Sequence, residues 1–405
     1  MFHQNPIKMM QPDKFAAFCL LMIMISYHQL PAQHITTSVE KCAGADSLAD
    51  GGHHVSILFW NAENLFDYRD DTLTADEEFT GSGAMHWGYA KLQSKLAHIA
   101  KTILAAGEWD PPALVGMCEV ENRHVLNKLI YASPLKRFGY RAIHRDSPDN
   151  RGIDVALLFR EEYFVPIKAE WITIRFPFDT SAKTRDILYV KGMLLSTDTL
   201  HLFVNHWPSR RGGEAVSAPR RNFVAGVLRG KVDSIIQSAG CSRQEPPSNG
   251  QVAVGSEHQG TMAPWHHNDT VPDQFPFILI MGDFNDEPEN GSLCRILRAH
   301  LDTIGLLPTS LVNLSYVVAG NQGSHKFREH WGLLDQFIVS GTLIDRTHPL
   351  QADPGSLRIF RAAFLLEDDL KYLDMKPKRT YLGPSYKGGF SDHLPIMVEI
   401  RKLSN

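Results

Sequence analysis

The 405-residue chain is 43% hydrophobic and 21% charged, an ordinary globular balance with room for one large domain or two smaller ones. Its net charge of -4 excludes the overall basic surplus that drives non-specific nucleic-acid binding, and leaves a local basic patch open. Too few cysteines remain beyond the N-terminal region for a disulfide framework, although one bridge among Cys42, Cys118, Cys241 and Cys294 stays open.

Lys8 and Lys14 precede an apolar run over 15–25, and Leu30-Pro-Ala32 supplies a small residue for cleavage. This pattern reads as a secretory signal peptide over 1–32, too short for a stable membrane span. Export to the periplasm or the medium is therefore expected. Cys19 lies inside the run, a poor setting for lipid attachment. Residues 33–54 are small and polar, a flexible leader, and the folded domain is expected over 55–402.

The first predicted strand is 55–60, and it ends in Asn61-Ala-Glu-Asn-Leu-Phe-Asp. The acidic loop over 67–87 reads as solvated charge. Leu92, Leu96, Ile99 and Ile103 recur at helical spacing within 89–104, and Gly107 ends that helix. A strand over 113–118 runs directly into Glu119-Val-Glu-Asn, where Asn122 can cap the next helix. Strands follow at Tyr140–His144 and 153–159, the second opening on Asp154, a salt-bridge partner for Arg151.

Antiparallel strands are expected at 164–174, 187–195 and 200–206, the last two joined by a turn at 197–199. The last of them ends in Asn205-His-Trp-Pro-Ser-Arg-Arg, and a helix over 219–237 with its proline in the first turn comes next. Residues 240–274 are rich in Gly, Ser, Pro, Gln and His, and read as a disordered surface insertion. Its His258, His266 and His267 are more simply solvated than ligating. The run 277–281 suits a strand buried on both faces, and it ends in Gly282-Asp-Phe-Asn-Asp. A short helix is expected over 292–300, then a core strand over 331–339 carrying Asp335, then Ser391-Asp-His-Leu-Pro before a last strand at 396–400.

Six strands thus end in, or carry, polar residues: Asn61, Glu119, His206, Asp283 with Asn285, Asp335, and Asp392 with His393. Carboxylates at the ends of buried strands are costly unless they meet a cation, a proton or water. Acids with amides and histidines favour a hard oxygen-seeking metal, Mg²⁺ or Mn²⁺, over zinc. A buried Asp335 demands a partner, for which a histidine is suited.

These motifs, with Arg151-Gly-Ile-Asp and Leu334-Asp-Gln in the same order, resemble the endonuclease/exonuclease/phosphatase superfamily. The likeness runs from about 55 to 400 and is nearest to secreted bacterial members described only as endonucleases. It implies an α/β four-layer sandwich, two packed and mostly antiparallel sheets flanked by helices, as in deoxyribonuclease I. Carried over residue by residue, it implies Glu119 as the main metal ligand, with Asn61 beside it and Asp392 as a second metal-side carboxylate. Asp283 would activate or orient the attacking water, Asn285 hold a phosphate oxygen, and Asp335 orient His393. His206 is read as the acid that protonates the leaving group, with Asp154 as its orienting partner. Asn205, Arg210 and Arg151 are candidate substrate-binding residues, and Arg210, Arg211, Arg220 and Arg221 could track a phosphate backbone.

The expected activity is Mg²⁺- or Mn²⁺-dependent phosphodiester hydrolysis by an exported monomer, with nucleic acid the leading substrate. A phosphomonoesterase or a sphingomyelinase-like phospholipid diesterase is the alternative within the same fold. A binding module that lost the chemistry is the other class, and the reactive residue kept in every motif speaks against it.

Overall fold

Short buried strands and amphipathic helices alternate along the chain. A computed structural model describes residues 54–108, 110–195, 198–240, 275–318 and 322–403. The expected signal peptide, the leader up to residue 53, the turn residue Thr197 and the insertion from 241 to 274 lie outside them. Cys42 and Cys241 also lie outside, while Cys118 and Cys294 are free thiols.

The order is β1 (His54–Leu65), α1 (Tyr89–Ala106), β2 (Leu114–Val120), α2 (Arg123–Tyr131), β3 (Tyr140–His144), β4 (Asp154–Arg160), β5 (Phe164–Ile172), β6 (Ile187–Leu194), β7 (Asp198–His206) and α3 (Glu214–Ser238). Then come β8 (Phe277–Asp283), β9 (Ala299–His300), β10 (Leu311–Asn313), β11 (His325–Phe327), β12 (His330–Gly332) and β13 (Asp335–Ser340). The chain closes with β14 (Leu350–Ala352), β15 (Arg358–Ile359), β16 (Leu366–Asp369), β17 (Asp374–Pro377), β18 (Tyr381–Leu382), β19 (Ser385–Tyr386) and β20 (Ile396–Lys402).

Two seven-stranded sheets result. One runs β14-β20-β1-β2-β4-β3 with β15 also on β20, and the other runs β5-β6-β7-β8-β13-β10-β9. Pairing is antiparallel except at β1–β2, β7–β8 and β9–β10. Alternation along the strands sets the layers. On β8, Phe277, Leu279 and Met281 join the core shared with the first sheet, while Ile278 and Ile280 turn toward Val224, Leu228 and Val232 of α3. The helical stripe Leu92, Leu96, Ile99 and Ile103 packs α1 onto the first sheet beside α2. The fold is therefore the expected α/β four-layer sandwich. The sheets approach closely where Gly116 has no side chain, because a Cβ there would lie 2.7 Å from Met281 Cε and 3.0 Å from Phe59.

Three elements differ from expectation. Helix α3 begins at Glu214, so Pro219 lies inside it and not in its first turn. Glu214 is held at that end by Asn290 (3.2 Å) and Arg210 (3.5 Å), and an acid there suits the helix dipole. The expected helix over 292–300 is a single wide turn, Ser292–Leu297, stopped by left-handed Arg298 (φ 60°) before β9. The strand expected over 331–339 splits: His330–Gly332 belongs to a hairpin with β11, and Asp335 opens β13. Beyond β13, the hairpins β16–β17 and β18–β19 occupy a stretch with no predicted elements. No helix among the described residues is long and apolar enough to cross a membrane.

Candidate active site

Register brings the strand ends together. His206 pairs with Asp283 across the parallel strands β7 and β8, and Asp283 pairs with Asp335 across the antiparallel strands β8 and β13. In the other sheet, Asn61 pairs with Cys118, next to Glu119. Parallel pairing puts two C-terminal ends on one rim, and an antiparallel neighbour must then contribute its first residue. That is why Asp335 acts from the start of its strand.

The first sheet breaks its alternation where it delivers acids. Register shifts occur between Asn61 and Leu65 on β1 and between Cys118 and Val120 along β2. Glu63 (φ 49°), Asn64 (φ 54°) and Glu119 (φ 58°) take left-handed backbone there, and Asn285 (φ 52°) does so after β8. Such backbone costs on the order of 1–3 kcal/mol per residue and gathers at functional sites. One consequence is a bond from the Asn64 N–H to Glu119 Oε2, at 2.9 Å.

Asp283 is the centre of the second sheet's contribution. Its Oδ2 accepts from Asn61 Nδ2 at 3.0 Å, and its Oδ1 accepts from the Asn285 N–H at 3.0 Å. The same Oδ2 lies 3.8 Å from His206 Nε2 and 3.9 Å from His393 Nε2. Burial pushes the carboxyl of Asp283 up to about 7, against the opposing pull of His393.

The two histidines differ in state. Burial, followed by the fields of Arg185 and Arg151, holds His206 well below the ordinary histidine range. That direction favours a neutral imidazole, and the expected leaving-group role stays a proposal. Burial also works against charge on His393, but Asp335, Asp283 and Asp392 outweigh it and raise the pKa well above the usual value. His393 Nδ1 donates to Asp335 Oδ2 at 2.6 Å. The Ser391-Asp-His turn is fixed by Ser391 Oγ donating to Asn61 O (2.7 Å) and accepting from the His393 N–H (3.0 Å). Trp60 Nε1 donates to His393 O at 2.8 Å.

A second group of charges surrounds Glu119. Arg379 donates to Asp392 Oδ2 at 2.8 Å and to Glu63 Oε1 at 3.4 Å, and it feels the field of Glu119. Lys95, 2% exposed, donates to Thr380 Oγ1 (2.6 Å) and Phe390 O (2.5 Å), and feels Glu63, Asp392 and Glu119. Burial and Asp392 together raise Glu63 to about 7. Burial raises Asp392 as well, but His393 and Arg379 outweigh it and lower its carboxyl below the usual range.

The described residues that come close enough to share a cation include Asp283, Asp335 and His393, and His325, Asp392 and His393. Glu63, Glu119 and Asp392 are hard oxygen donors that share the fields of Lys95 and Arg379. Cys118, His206 and Asp283 come close enough to suggest a softer site, but burial and Asp283 hold the Cys118 thiol well above its ordinary pKa, in its protonated form.

Not every predicted residue joins the site as expected. Asn61 accepts the Glu63 N–H at Oδ1 (2.9 Å) and donates its amide to Asp283, so it positions that acid on the rim where its metal role is proposed. Asp154 is engaged by the Ser147 N–H (2.8 Å) and stands 3.3 Å from His144, which replaces both His206 and Arg151 as its partner. Arg151 lies near Asp149 instead and is half exposed. Asn205 accepts from Trp207 Nε1 and donates to Met281 O, both at 3.2 Å, so it locks β7 to β8 away from substrate. The Asn285 amide donates to Trp207 O at 3.0 Å.

The arginines read as a backbone track are largely consumed internally. Arg221 is fully buried with its Nε 2.8 Å from Asp286. Arg210 Nε donates to Asn285 O at 2.7 Å, and Arg220 pairs with Asp179 at 2.5 Å. Among the functional residues missed from sequence, Glu63 was visible inside the first motif, and Lys95 interrupts an otherwise apolar helical stripe. Arg379 comes from a segment with no periodic signal.

The sequence model of the Endonuclease/Exonuclease/phosphatase family matches residues 56–243 and 269–402. The chain belongs to this family. Members of the Endonuclease/Exonuclease/phosphatase family are metal-dependent phosphoric ester hydrolases. No curated protein matches the chain. Among solved structures, a humanized TDP2 from D. rerio is similar at 13% identity and a TM-score of 0.48, covering 86% of this chain and 98% of its own. A mannosyl-6-phosphatase from Bacteroides thetaiotaomicron has the same identity and score (13%, 0.48), over 85% of this chain and 99% of its own. An endonuclease/exonuclease/phosphatase family protein from Bacteroides vulgatus stands at 12% and 0.46, covering 87% of this chain and 100% of its own.

Proposed function

We propose that this family member is a metal-dependent phosphodiesterase that hydrolyses its substrate by in-line attack of water. The observation that carries the reading is Asp283, a buried carboxyl raised to about 7 and flanked by a neutral and a protonated imidazole. Titratable neighbours pushed apart in this way divide acid and base work between them.

In this reading Asp283, held by Asn61 and the Asn285 N–H, takes the proton of the attacking water. His393, kept protonated by Asp335, donates from Nε2 to a phosphate oxygen, where charge builds as the bond to water forms. His206, neutral, offers Nε2–H to a second oxygen. Glu119, Glu63 and Asp392 would hold Mg²⁺ or Mn²⁺, which when bound supplies charge neutralisation at the phosphate.

Within the phosphodiesters, the fate of Arg210, Arg220 and Arg221 favours a compact substrate over a polymer gripped along its backbone. The endonuclease form of the reading rests on Arg151 and Arg211, and plasmid nicking tests it. Export remains a proposal from the sequence of 1–32, tested by the N-terminus of the mature protein.

The deciding experiment compares bis-p-nitrophenyl phosphate with p-nitrophenyl phosphate under Mg²⁺, Mn²⁺ and EDTA. Hydrolysis of the diester, lost in EDTA and in Glu119→Gln, is expected. Turnover of the monoester alone would overturn the diesterase reading, and no turnover of either would overturn the hydrolase.

A further inference from the structure

The β11–β12 hairpin and the hairpins between β13 and β20 build a second feature beside the candidate site. Lys326 on β11, Glu367 on β16, Lys376 on β17, Arg379, Lys387 and Asp392 line a cavity of about 310 Å³. Arg379 and Asp392 belong to both places, so the cavity opens onto the candidate site.

The cations in it are not equally committed. Lys326, with a side chain 2% exposed, is tied to Asp374 (2.7 Å), Met375 O (2.9 Å) and Asp369 (3.5 Å), and adds rigidity more than free donors. Lys376 has only a half-exposed Glu367 at 3.6 Å, a pair of small energetic weight. Lys387 is exposed and has no ion pair among the described residues. Arg379, which lines the cavity, spends Nε on Glu63 and Nη2 on Asp392, so Nη1 is the end of its guanidinium that those two bonds leave over. Lys376, Lys387 and Arg379 thus line one concave space with two carboxylates, Glu367 beside Lys376 and Asp392 beside Arg379.

We propose that this cavity is a second anion subsite that receives a further phosphate group on the substrate, next to the one being cleaved. Lys376, Lys387 and Arg379 Nη1 supply its hydrogen bonds, and Lys326 fixes its wall. The subsite rests on the phosphoesterase reading for its purpose but not for its existence. Leu370 (84% exposed) and Leu373 (91% exposed) sit in the turn between β16 and β17, so the same phosphate could be presented by a soluble ester or by a lipid surface.

The test is equilibrium binding to the full chain in EDTA, where no turnover occurs. Propane-1,3-diol bisphosphate and propyl phosphate are the soluble probes, and phosphatidylcholine vesicles with and without phosphatidic acid form the lipid arm. Wild type should prefer the second phosphate by about tenfold in one arm or the other, the worth of one charge-assisted contact. Lys376→Ala/Lys387→Ala should bring that preference to threefold or less. Lys168→Ala/Lys231→Ala, which removes equal charge from the Glu170 pairs on β5 and α3, should leave it intact. No preference in wild type, or equal losses in the two double variants, would overturn the subsite. A chain that shows the preference but does not hydrolyse the nitrophenyl diester keeps the subsite and loses the hydrolase, so the two failures are distinguishable.

Discussion

His393 Nδ1 and Asp335 Oδ2 are 2.6 Å apart across 58 positions of sequence. Asp335 is fully buried and its Oδ1 has no hydrogen-bond partner among the described residues, so the bond from His393 is the side-chain contact that meets its charge. A buried charge retained with one partner constrains that partner strongly. The ring is thereby fixed with Nε2 toward Asp283, at 3.9 Å.

Replacing Asp335 by Asn should lower the His393 pKa, because the largest raising field is removed while burial still disfavours charge. The sign for stability follows from the raised native pKa. The pair's contribution is full below the unfolded value of about 6.5 and is lost as pH rises through the higher native pKa. Asp335→Asn should therefore cost most at pH 6, about 1.5–3 kcal/mol for a bond to a charged group, and progressively less at high pH. Denaturant melts at several pH values, with an NMR titration of His393, check this. A pH-independent loss would mean that Asp335 is simply a packing residue.

A proton count tests the carboxylate cluster. Glu63 is raised to about 7 by burial and Asp392, so it is partly protonated at neutral pH without a metal. A cation favours the ionised form, so Mg²⁺ or Mn²⁺ binding should release a proton near pH 6.5 and less of one as pH rises past 7. Lys95, lowered to about 8, would add release at higher pH. Calorimetry in buffers of different ionisation enthalpy reads the count. Glu63→Gln should remove the component near pH 7, and an unchanged count would exclude Glu63 from the metal's surroundings.

What was legible in the sequence was what repeats or what stops abruptly. The apolar runs gave the central strands, and the sudden acid after each gave the rim, because buried alternation and charge rarely meet without a reason. One acid inside an apolar run showed that Asp335 needs a partner such as a histidine, and the family resemblance supplied His393. Side-chain direction was not legible. Asn61, Asn205 and Asp154 stand near the expected places, but their bonds are decided by register shifts and by neighbours such as Trp207 and His144, which no local pattern encodes. Arg379, Lys326 and the hairpins around them come from short irregular pieces, where neither period is sustained long enough to be read.

Gly282 tests how tightly the two central strands must meet. A Cβ there would stand 2.6 Å from both the Cβ and the carbonyl oxygen of Asn205, and 3.0 Å from its carbonyl carbon. Backbone on a paired strand cannot yield as a flexible side chain can. Gly282→Ala should therefore destabilise the fold by about 1–3 kcal/mol and displace Asp283 from His206. Gly116→Ala meets mainly the end of the Met281 side chain and should be milder. Equal midpoints for the two variants in urea would show that β7 and β8 can separate without cost.

His206 supplies the last prediction, which turns on its protonation state. Its Nε2 faces Asp283 at 3.8 Å and Glu119 at 3.9 Å, and its Nδ1 is buried without a hydrogen-bond partner. Burial, Arg185 and Arg151 keep it neutral, so it has no spare proton to give a departing alkoxide at neutral pH. A neutral ring can still donate Nε2–H to a phosphate oxygen, and that contact strengthens equally whatever group leaves. His206→Ala should then lower kcat/KM by a similar factor, on the order of 10²–10³, for a nitrophenyl and for an alkyl phosphodiester. An acid would behave otherwise: its loss would cripple the alkyl ester and largely spare the nitrophenyl one, whose leaving group needs no proton. A strongly unequal loss would therefore restore the leaving-group role and require the bound substrate to raise the His206 pKa.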